Sequence, residues 1–204
     1  MIKITSVRAS DGGAAARVDL KRDGEKFVFY ILRADARRLS LGAGEYEDAL
    51  FDELMRLDGV CRAVKSGRRI LGYGANSESA LRAKLIRKGA SRESADSAIE
   101  ILASESGLDE ARDAMRLCEL QLAKNIGARR IISYLRGRGY SDDALSEVKE
   151  YLGSIDFTPI CRRSLEKKYG GIPDGIEEKK KCIDYLIRQG FSYADVRRVF
   201  DSGL

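Results

Sequence analysis

The run Leu186-Ile187-Arg188-Gln189-Gly190-Phe191-Ser192 is the third copy of a short signature. The second is Leu135-Arg136-Gly137-Arg138-Gly139-Tyr140-Ser141, and the first is Leu85-Ile86-Arg87-Lys88-Gly89-Ala90-Ser91. From Gly89 to Gly139 is 50 residues, and from Gly139 to Gly190 is 51. A period of that size marks stacked supersecondary units. Each copy has the parts of a corner between two helices. The leucine is the last core residue of one helix. The glycine can take the left-handed conformation that ends it, and the serine offers an acceptor to the first N–H groups of the next. The residue before each serine can pack on the one four beyond that serine. The pairs are Ala90 with Ala95, Tyr140 with Leu145 and Phe191 with Val196.

Between successive signatures there is room for one further helix, so each unit holds three. The first unit is read as helices over 45–71, 77–88 and 91–105, with a break expected at Asp58-Gly59. The second is read over 108–125, 128–138 and 141–152, and the third over 156–169, 175–189 and 192–202. Asp174 with Glu177, after Pro173, reads as a capping box, and Ser192 with Asp195 as a shortened one. The expected domains are helical repeats over 45–106, 107–153 and 154–204, forming an elongated solenoid.

Residues 1–44 follow a different period. Val18 and Leu20 alternate with Arg17, Asp19 and Lys21, which is the pattern of a half-buried strand. Asp23-Gly24 is a strong hairpin signal, because both residues tolerate positive φ. Phe27-Val28-Phe29-Tyr30-Ile31-Leu32 continues as a strand-prone run. Three strands over 2–9, 14–21 and 26–32 are expected, followed by a helical turn over 34–39 and a linker at Gly42 and Gly44. The fold class is therefore mainly α, with a small N-terminal antiparallel β meander.

Composition narrows the chemistry. The chain has 204 residues and no histidine, which excludes histidine triads, imidazole acid–base catalysis and His-ligated zinc. The cysteines, Cys61, Cys118, Cys161 and Cys182, form no C-x-x-C pair and read as reduced core thiols of a cytoplasmic protein. No apolar run approaches the ~18 residues of a membrane helix, and the N-terminus lacks the pattern of a signal peptide. No G-x-x-x-x-G-K-[ST] run is present, so nucleotide hydrolysis has no foothold. Asp109-Glu110 and Asp142-Asp143 fall in first turns of helices, where they complement the macrodipole. No enzyme activity, metal or cofactor is expected.

The signatures and their surroundings resemble the RecX family of recombinase regulators. The likeness is strongest in Lys179-Lys180-Lys181-Cys182-Ile183-Asp184-Tyr185-Leu186-Ile187-Arg188-Gln189-Gly190-Phe191-Ser192, which has the family's basic lead-in and its "YL-x-R-x-GFS" core. Gly127-Ala128-Arg129-Arg130-Ile131, with Leu135 and Gly139, resembles the "G-x-x-R-I…L…G" run. Ser77-Glu78 and Leu81 through Gly89 resemble the corresponding run of the first unit. The chain departs from the pattern at Asp113, where an aromatic residue is usual, and at Gly74 and Asn76, where arginines are usual. The resemblance implies a non-enzymatic protein that binds the groove of the RecA filament on single-stranded DNA. It implies inhibition of recombinase, ATPase and co-protease activities, in the setting of recombination, DNA repair and the SOS response. A monomer is expected.

Charge supports this independently of the resemblance. The net charge is +5, distributed as −1 over residues 1–58, +4 over 59–106, zero over 107–152 and +2 over 153–204. Arg62, Lys65 and Arg69 fall on one helix face, and so do Arg129 and Arg136, flanked by Arg130 and Arg138. Under the repeat offset Arg129 matches Lys180 and Arg130 matches Lys181, with Arg188 completing the set. Basic positions recurring in stacked units suit a polyanion or filament ligand. Tyr73, Tyr134, Tyr140, Tyr169 and Tyr185 offer rings that either stack on bases or belong to the core. Two other readings fit the same residues: a helix-turn-helix DNA regulator and a helical protein-binding scaffold.

Overall fold

A computed structural model describes residues 1–105 and 107–201. Among these the elements run β1 (Ile2–Ser10), β2 (Ala15–Arg22), β3 (Glu25–Leu32), α1 (Arg33–Arg38), β4 (Gly44–Tyr46) and α2 (Ala49–Gly72). There follow α3 (Glu78–Arg87), α4 (Arg92–Ser104), α5 (Glu110–Leu122), α6 (Ala128–Gly137) and α7 (Asp142–Gly153). The last are α8 (Thr158–Tyr169), α9 (Ile176–Arg188) and α10 (Tyr193–Asp201). The fold is mainly α with a small N-terminal antiparallel sheet, as the two periodicities predict. Ser106 and Ser202, at the ends of an expected repeat and an expected helix, lie outside the described residues. Among the described residues no helix is long and apolar enough to cross a membrane. The chain separates into two compact units, residues 1–75 with 80–108, and residues 76–79 with those from Asp109 onward.

In the first unit the sheet order is β3-β2-β1-β4. Asp23 (φ 50) and Gly24 (φ 87) form the tight turn between β2 and β3. Alternation sends Val18 and Leu20 of β2 inward beside Ile2, Ile4, Phe29 and Ile31, and the first half of α2 covers them with Phe51, Leu54 and Leu57. The Phe51 ring meets Phe27 and Phe29 edge-on, at centroid distances of 4.9 and 5.4 Å.

Two expectations are corrected here. Gly44 does not belong to a linker. It opens β4, which pairs with the start of β1 (Gly44 with Ile4, Tyr46 with Ile2), because the chain leaving α1 runs back past an unpaired edge. The break at Asp58-Gly59 is also absent, and α2 runs through it. Asp58 is buried and serves the sheet: its Oδ1 accepts the Tyr30 N–H of edge strand β3 at 2.7 Å, and its Oδ2 pairs with Arg62 at 2.7 Å. At Gly59 a Cβ would come 2.8 Å from Ser94 Oγ, so the missing side chain lets α4 approach α2. Val60, Ala63 and Val64 then close a second core with Leu81, Leu85, Ala95, Ala98 and Leu102.

The second unit has one continuous core drawn from α5 to α10. Ala114, Cys118, Ile131, Leu135, Val148, Cys161, Cys182, Leu186, Phe191 and Val199 are all fully enclosed in it. All four cysteines are buried, and none is joined in a disulfide among the described residues. Burial pushes the Cys118 thiol up to about 11 and the Cys161 thiol to about 12.

The three signatures are corners built alike. Leu85, Leu135 and Leu186 are fully buried, and Gly89, Gly139 and Gly190 have φ of 94, 79 and 93. Each glycine N–H returns to the carbonyl three residues back, and the following N–H reaches the leucine carbonyl. Ser91, Ser141 and Ser192 then accept the N–H of Ser94, Ala144 and Asp195 at 3.1, 3.4 and 3.1 Å. Asp195 returns the favour to the Ser192 N–H at 2.9 Å, completing the shortened box. The box expected at Asp174 does not form. α9 starts one residue later, with Gly175 as its cap and no side-chain acceptor.

Candidate interaction surface

α6 opens in an unusual way. Its cap, Gly127, offers no side chain, and its first turn contains no acid. The free N–H groups are satisfied by the carbonyls left over at the end of α9. Gly127 N–H donates to Gln189 O at 2.9 Å and Arg129 N–H to Gly190 O at 3.1 Å. The two backbones are so close that a Cβ on Gly127 would overlap Gly190 and Phe191, and one on Gly190 would overlap Arg130. This junction accounts for the glycine that opens the "G-x-x-R-I" run.

A second junction lies in the same unit. The lead-in Asn76–Ser79 sits on the corner between α6 and α7. Ser77 Oγ donates to Arg138 O at 2.8 Å, and a Cβ on Gly139 would lie 3.3 Å from Ser77 Oγ and Ser79 Cβ. Glu110 ties this junction together. Its Oε1 accepts the Glu78 N–H at 2.7 Å and its Oε2 the Ser141 N–H at 3.2 Å. The sequence shows Glu110 only as one of two adjacent first-turn acids, and nothing in that pattern signals its bridging role. Its neighbour Asp109 is an ordinary cap, accepting the Arg112 N–H at 2.9 Å.

The candidate basic residues divide into three groups. Arg129, Arg136, Lys180, Lys181, Arg188 and Arg69 are exposed. Arg130, Arg138 and Arg62 are exposed too, but their guanidinium groups are engaged within the fold. Arg130 Nη1 donates to Gln189 Oε1 at 2.7 Å, Arg138 Nη1 to Tyr134 Oη at 3.0 Å, and Arg62 pairs with Asp58. Lys65 is exposed and also engaged within the fold. Arg62, Lys65 and Arg69 belong to the first unit and the other seven to the second. Because the head of α6 sits on the tail of α9, Arg129 and Arg130 are brought to Gln189 and Gly190, the residues that follow Arg188. The order along the two helices is Lys180, Lys181, Arg188, then Arg129, Arg130 and Arg136. At a rise of ~1.5 Å per residue, Lys180 lies about 12 Å back along α9 from Arg188.

The aromatic residues separate as well. Tyr140 is in the core, with a hydroxyl that has no hydrogen-bond partner among the described residues and is pushed up to about 12 by burial. Tyr134 and Tyr185 pack partly against that core, whereas Tyr73 and Tyr169 are exposed. Among the described residues no group of three or more acids and cysteines is placed to hold a metal ion.

Comparison with known proteins agrees with this architecture. The family model described as RecX, third three-helix domain, matches residues 160–200. The regulatory protein RecX of Halorhodospira halophila is 31% identical over 130 residues, which cover 63% of this chain and 80% of that protein. The chain belongs to the RecX family. The regulatory protein RecX of Pelodictyon phaeoclathratiforme is 29% identical over 139 residues, covering 66% of this chain and 84% of its own. Among solved structures, a crystal structure of regulatory protein RecX aligns with a TM-score of 0.79 at 16% identity, covering 98% of this chain and all of that one. RecX from Lactobacillus salivarius aligns with a TM-score of 0.62 at 14% identity, over 71% and 96% of the two chains. These RecX relatives carry the name of regulatory proteins, and the two structures share the fold.

Proposed function

We propose that this chain is a non-enzymatic, cytoplasmic inhibitor of the RecA recombinase that binds the groove of the RecA filament on single-stranded DNA. The reading takes residues 45–106, 107–153 and 154–204 as successive repeat units, with 1–44 as an extension. The basic residues of α6 and α9 make the contact, and Arg129 and Arg136 are its centre. The observation that carries the reading is the position of Arg129. It stands in the first turn of α6, where the helix macrodipole disfavours a cation by a few tenths of a kcal/mol and an acid would be the stabilising choice. The carbonyl end of α9 abuts this turn and offsets that cost, and the Arg129 side chain stays exposed beside it, which suits a polyanionic partner. Arg130 and Arg138 take supporting parts, since their guanidinium groups also hold Gln189 and Tyr134.

The test is the ATPase of RecA on single-stranded DNA with the purified chain added. Changing Arg129 and Arg136 together to Glu should weaken inhibition at least about tenfold, equivalent to ~1.4 kcal/mol. Stability should change little, because exposed charge substitutions stay within ~0.5 kcal/mol each. If phosphates are contacted, log affinity should fall with log salt by ~0.7 per phosphate neutralised on a single strand. Equal inhibition by the wild type and the double variant, both folded by circular dichroism, rejects this surface.

A further inference from the structure

Both junctions in the second unit place the head of a helix that opens before a signature on a glycine corner, one through a serine hydroxyl and the other through backbone N–H groups. Ser77 seats at Arg138-Gly139 and Gly127 at Gln189-Gly190. The chain has three such heads, Ser77, Gly127 and Gly175, and three corners, Gly89, Gly139 and Gly190. Two junctions therefore leave one head and one corner over.

The corner left over is Lys88-Gly89. It has the geometry of the other two, with φ 94 at Gly89, the Gly89 N–H on Ile86 O and the Ala90 N–H on Leu85 O. A Cβ on Gly89 would nevertheless meet nothing within 4 Å. Among the described residues no backbone donor reaches the Lys88 or Gly89 carbonyl. A groove of about 510 Å³ opens against this corner, lined by Met55, Arg62, Lys88, Gly89 and Ser91 among others.

The head left over is that of α9. Gly175 has φ −70 and ψ 142, close to the −78 and 158 of Gly127, and neither cap uses a side chain. The carboxylate of Glu178 lies over Gly175 and is the flexible group a docking corner would displace. Ile176, the first residue of α9, is 84% exposed, and Met55 in the groove is 54% exposed. At the contact itself the charges are complementary: exposed Arg87, Lys88 and Arg92 flank the glycine, with Asp52 and Glu93 further along the groove, and exposed Asp174, Glu177 and Glu178 surround the head, ahead of Lys180 and Lys181.

We propose that the α9 head of one copy docks on the Lys88-Gly89 corner of a second copy, repeating between molecules the backbone junction that Gly127 makes with Gly190 within each. The occupant is another copy of this chain because the chain carries both halves of the contact, with opposite charge and matching backbone. Such a contact is heterologous, so copies add head to corner, into a ring or an open chain. A single corner is far smaller than a standard interface, so the contact is weak in dilute solution and strengthens where copies are held side by side. It stands independently of which partner the basic surface binds.

The test is sedimentation of the full chain from about 10 μM to about 1 mM. The wild type should rise above its monomer mass of 22.6 kDa as concentration increases. Lys88→Glu alone and Glu177→Lys with Glu178→Lys alone should each need at least about tenfold higher concentration for the same mass. Mixing these two variants should restore association, since the acidic corner of one then meets the basic head of the other. The mixture also controls for folding, because an unfolded variant would not be rescued. A carbodiimide cross-link from Lys88 to Glu177 or Glu178, formed between isotopically light and heavy copies, should appear in the wild type. A wild type that stays at the monomer mass throughout, or that associates equally well in both variants, overturns the proposal.

Discussion

The two compact units meet the same demand, unsatisfied backbone at the ends of secondary structure, in different ways. In the first, edge strand β3 points the Tyr30 N–H at α2, and a buried carboxylate from the middle of that helix, Asp58, receives it. In the second, the head of α6 and the tail of α9 satisfy each other directly, N–H to carbonyl, with no side chain between. The side-chain solution asks for one acid and leaves its neighbours free. The backbone solution asks for two glycines, Gly127 and Gly190, because the chains approach closer than a Cβ permits. Backbone-to-backbone contacts thus leave a spaced glycine signature, whereas a side-chain bridge leaves a residue that looks like many others.

The glycines offer the largest effect by which to break this comparison. Gly190→Ala adds both a strained positive φ and a clash with Arg130, and should cost about 3 kcal/mol or more. Gly127→Ala, at an ordinary φ of −78, adds the clash alone and should cost ~1–3 kcal/mol. Gly89→Ala adds the strain alone and should cost ~1–2 kcal/mol. Urea unfolding followed by circular dichroism gives the ranking. Equal losses at Gly89 and Gly190 would show that backbone strain, and not the junction, makes these glycines necessary.

The strand-edge solution is tested by a smaller effect. Asp58→Ala strands the Tyr30 N–H and leaves Arg62 without its partner, for a loss of ~1–2 kcal/mol. Asp58→Asn retains an acceptor for Tyr30 and should lose less. Hydrogen exchange at the Tyr30 amide sharpens the point: it should speed up in the alanine variant and stay near wild type in the asparagine one. An unchanged rate in the alanine variant would mean that α2 shields this edge without the carboxylate.

The smallest effect is confined to acid. Arg17, with help from Arg8 and Ser6, holds the Asp19 carboxyl well below the usual carboxylate range. A folded-state pKa below the unfolded one contributes stability that is present above about pH 4 and is lost as pH falls toward the folded value. Asp19→Asn should therefore flatten the fall in melting temperature between about pH 4 and pH 2. It should leave the second unit's unfolding unchanged. A wild type and a variant with parallel acid limbs would assign that fall to other groups.

The mostly helical class, the hairpin at Asp23-Gly24 and the three glycine–serine corners were legible because each is a local event. A left-handed glycine or a serine cap needs only residues a few positions away. The fourth strand, Gly44–Tyr46, was missed because three residues carry too little alternation to register; its partner Ile2–Ile4 lies some forty residues earlier. The continuity of α2 through Asp58-Gly59 was missed for a related reason. In sequence that pair reads as a turn, and only the arrival of β3 on one side and Ser94 on the other makes it a helix interior. Among the basic residues the pattern gave positions on a face but not engagement. Nothing in the spacing shows that of the two exposed neighbours Arg129 and Arg130 it is Arg130 that holds Gln189.

The sequence by itself determined the repeat of about fifty residues, the corner chemistry, the switch from strand to helix period and the exclusion of histidine chemistry. All of these follow from composition or from interactions within one or two turns of chain. Only the tertiary structure decided which helix head meets which corner, that Glu110 bridges Glu78 and Ser141, and that among the described residues one corner and one head do not meet a counterpart. Those outcomes depend on how the backbone donors and acceptors at helix ends are shared between distant segments. Every helix end carries the same unsatisfied groups, so sequence tells that they must be paired but not with whom.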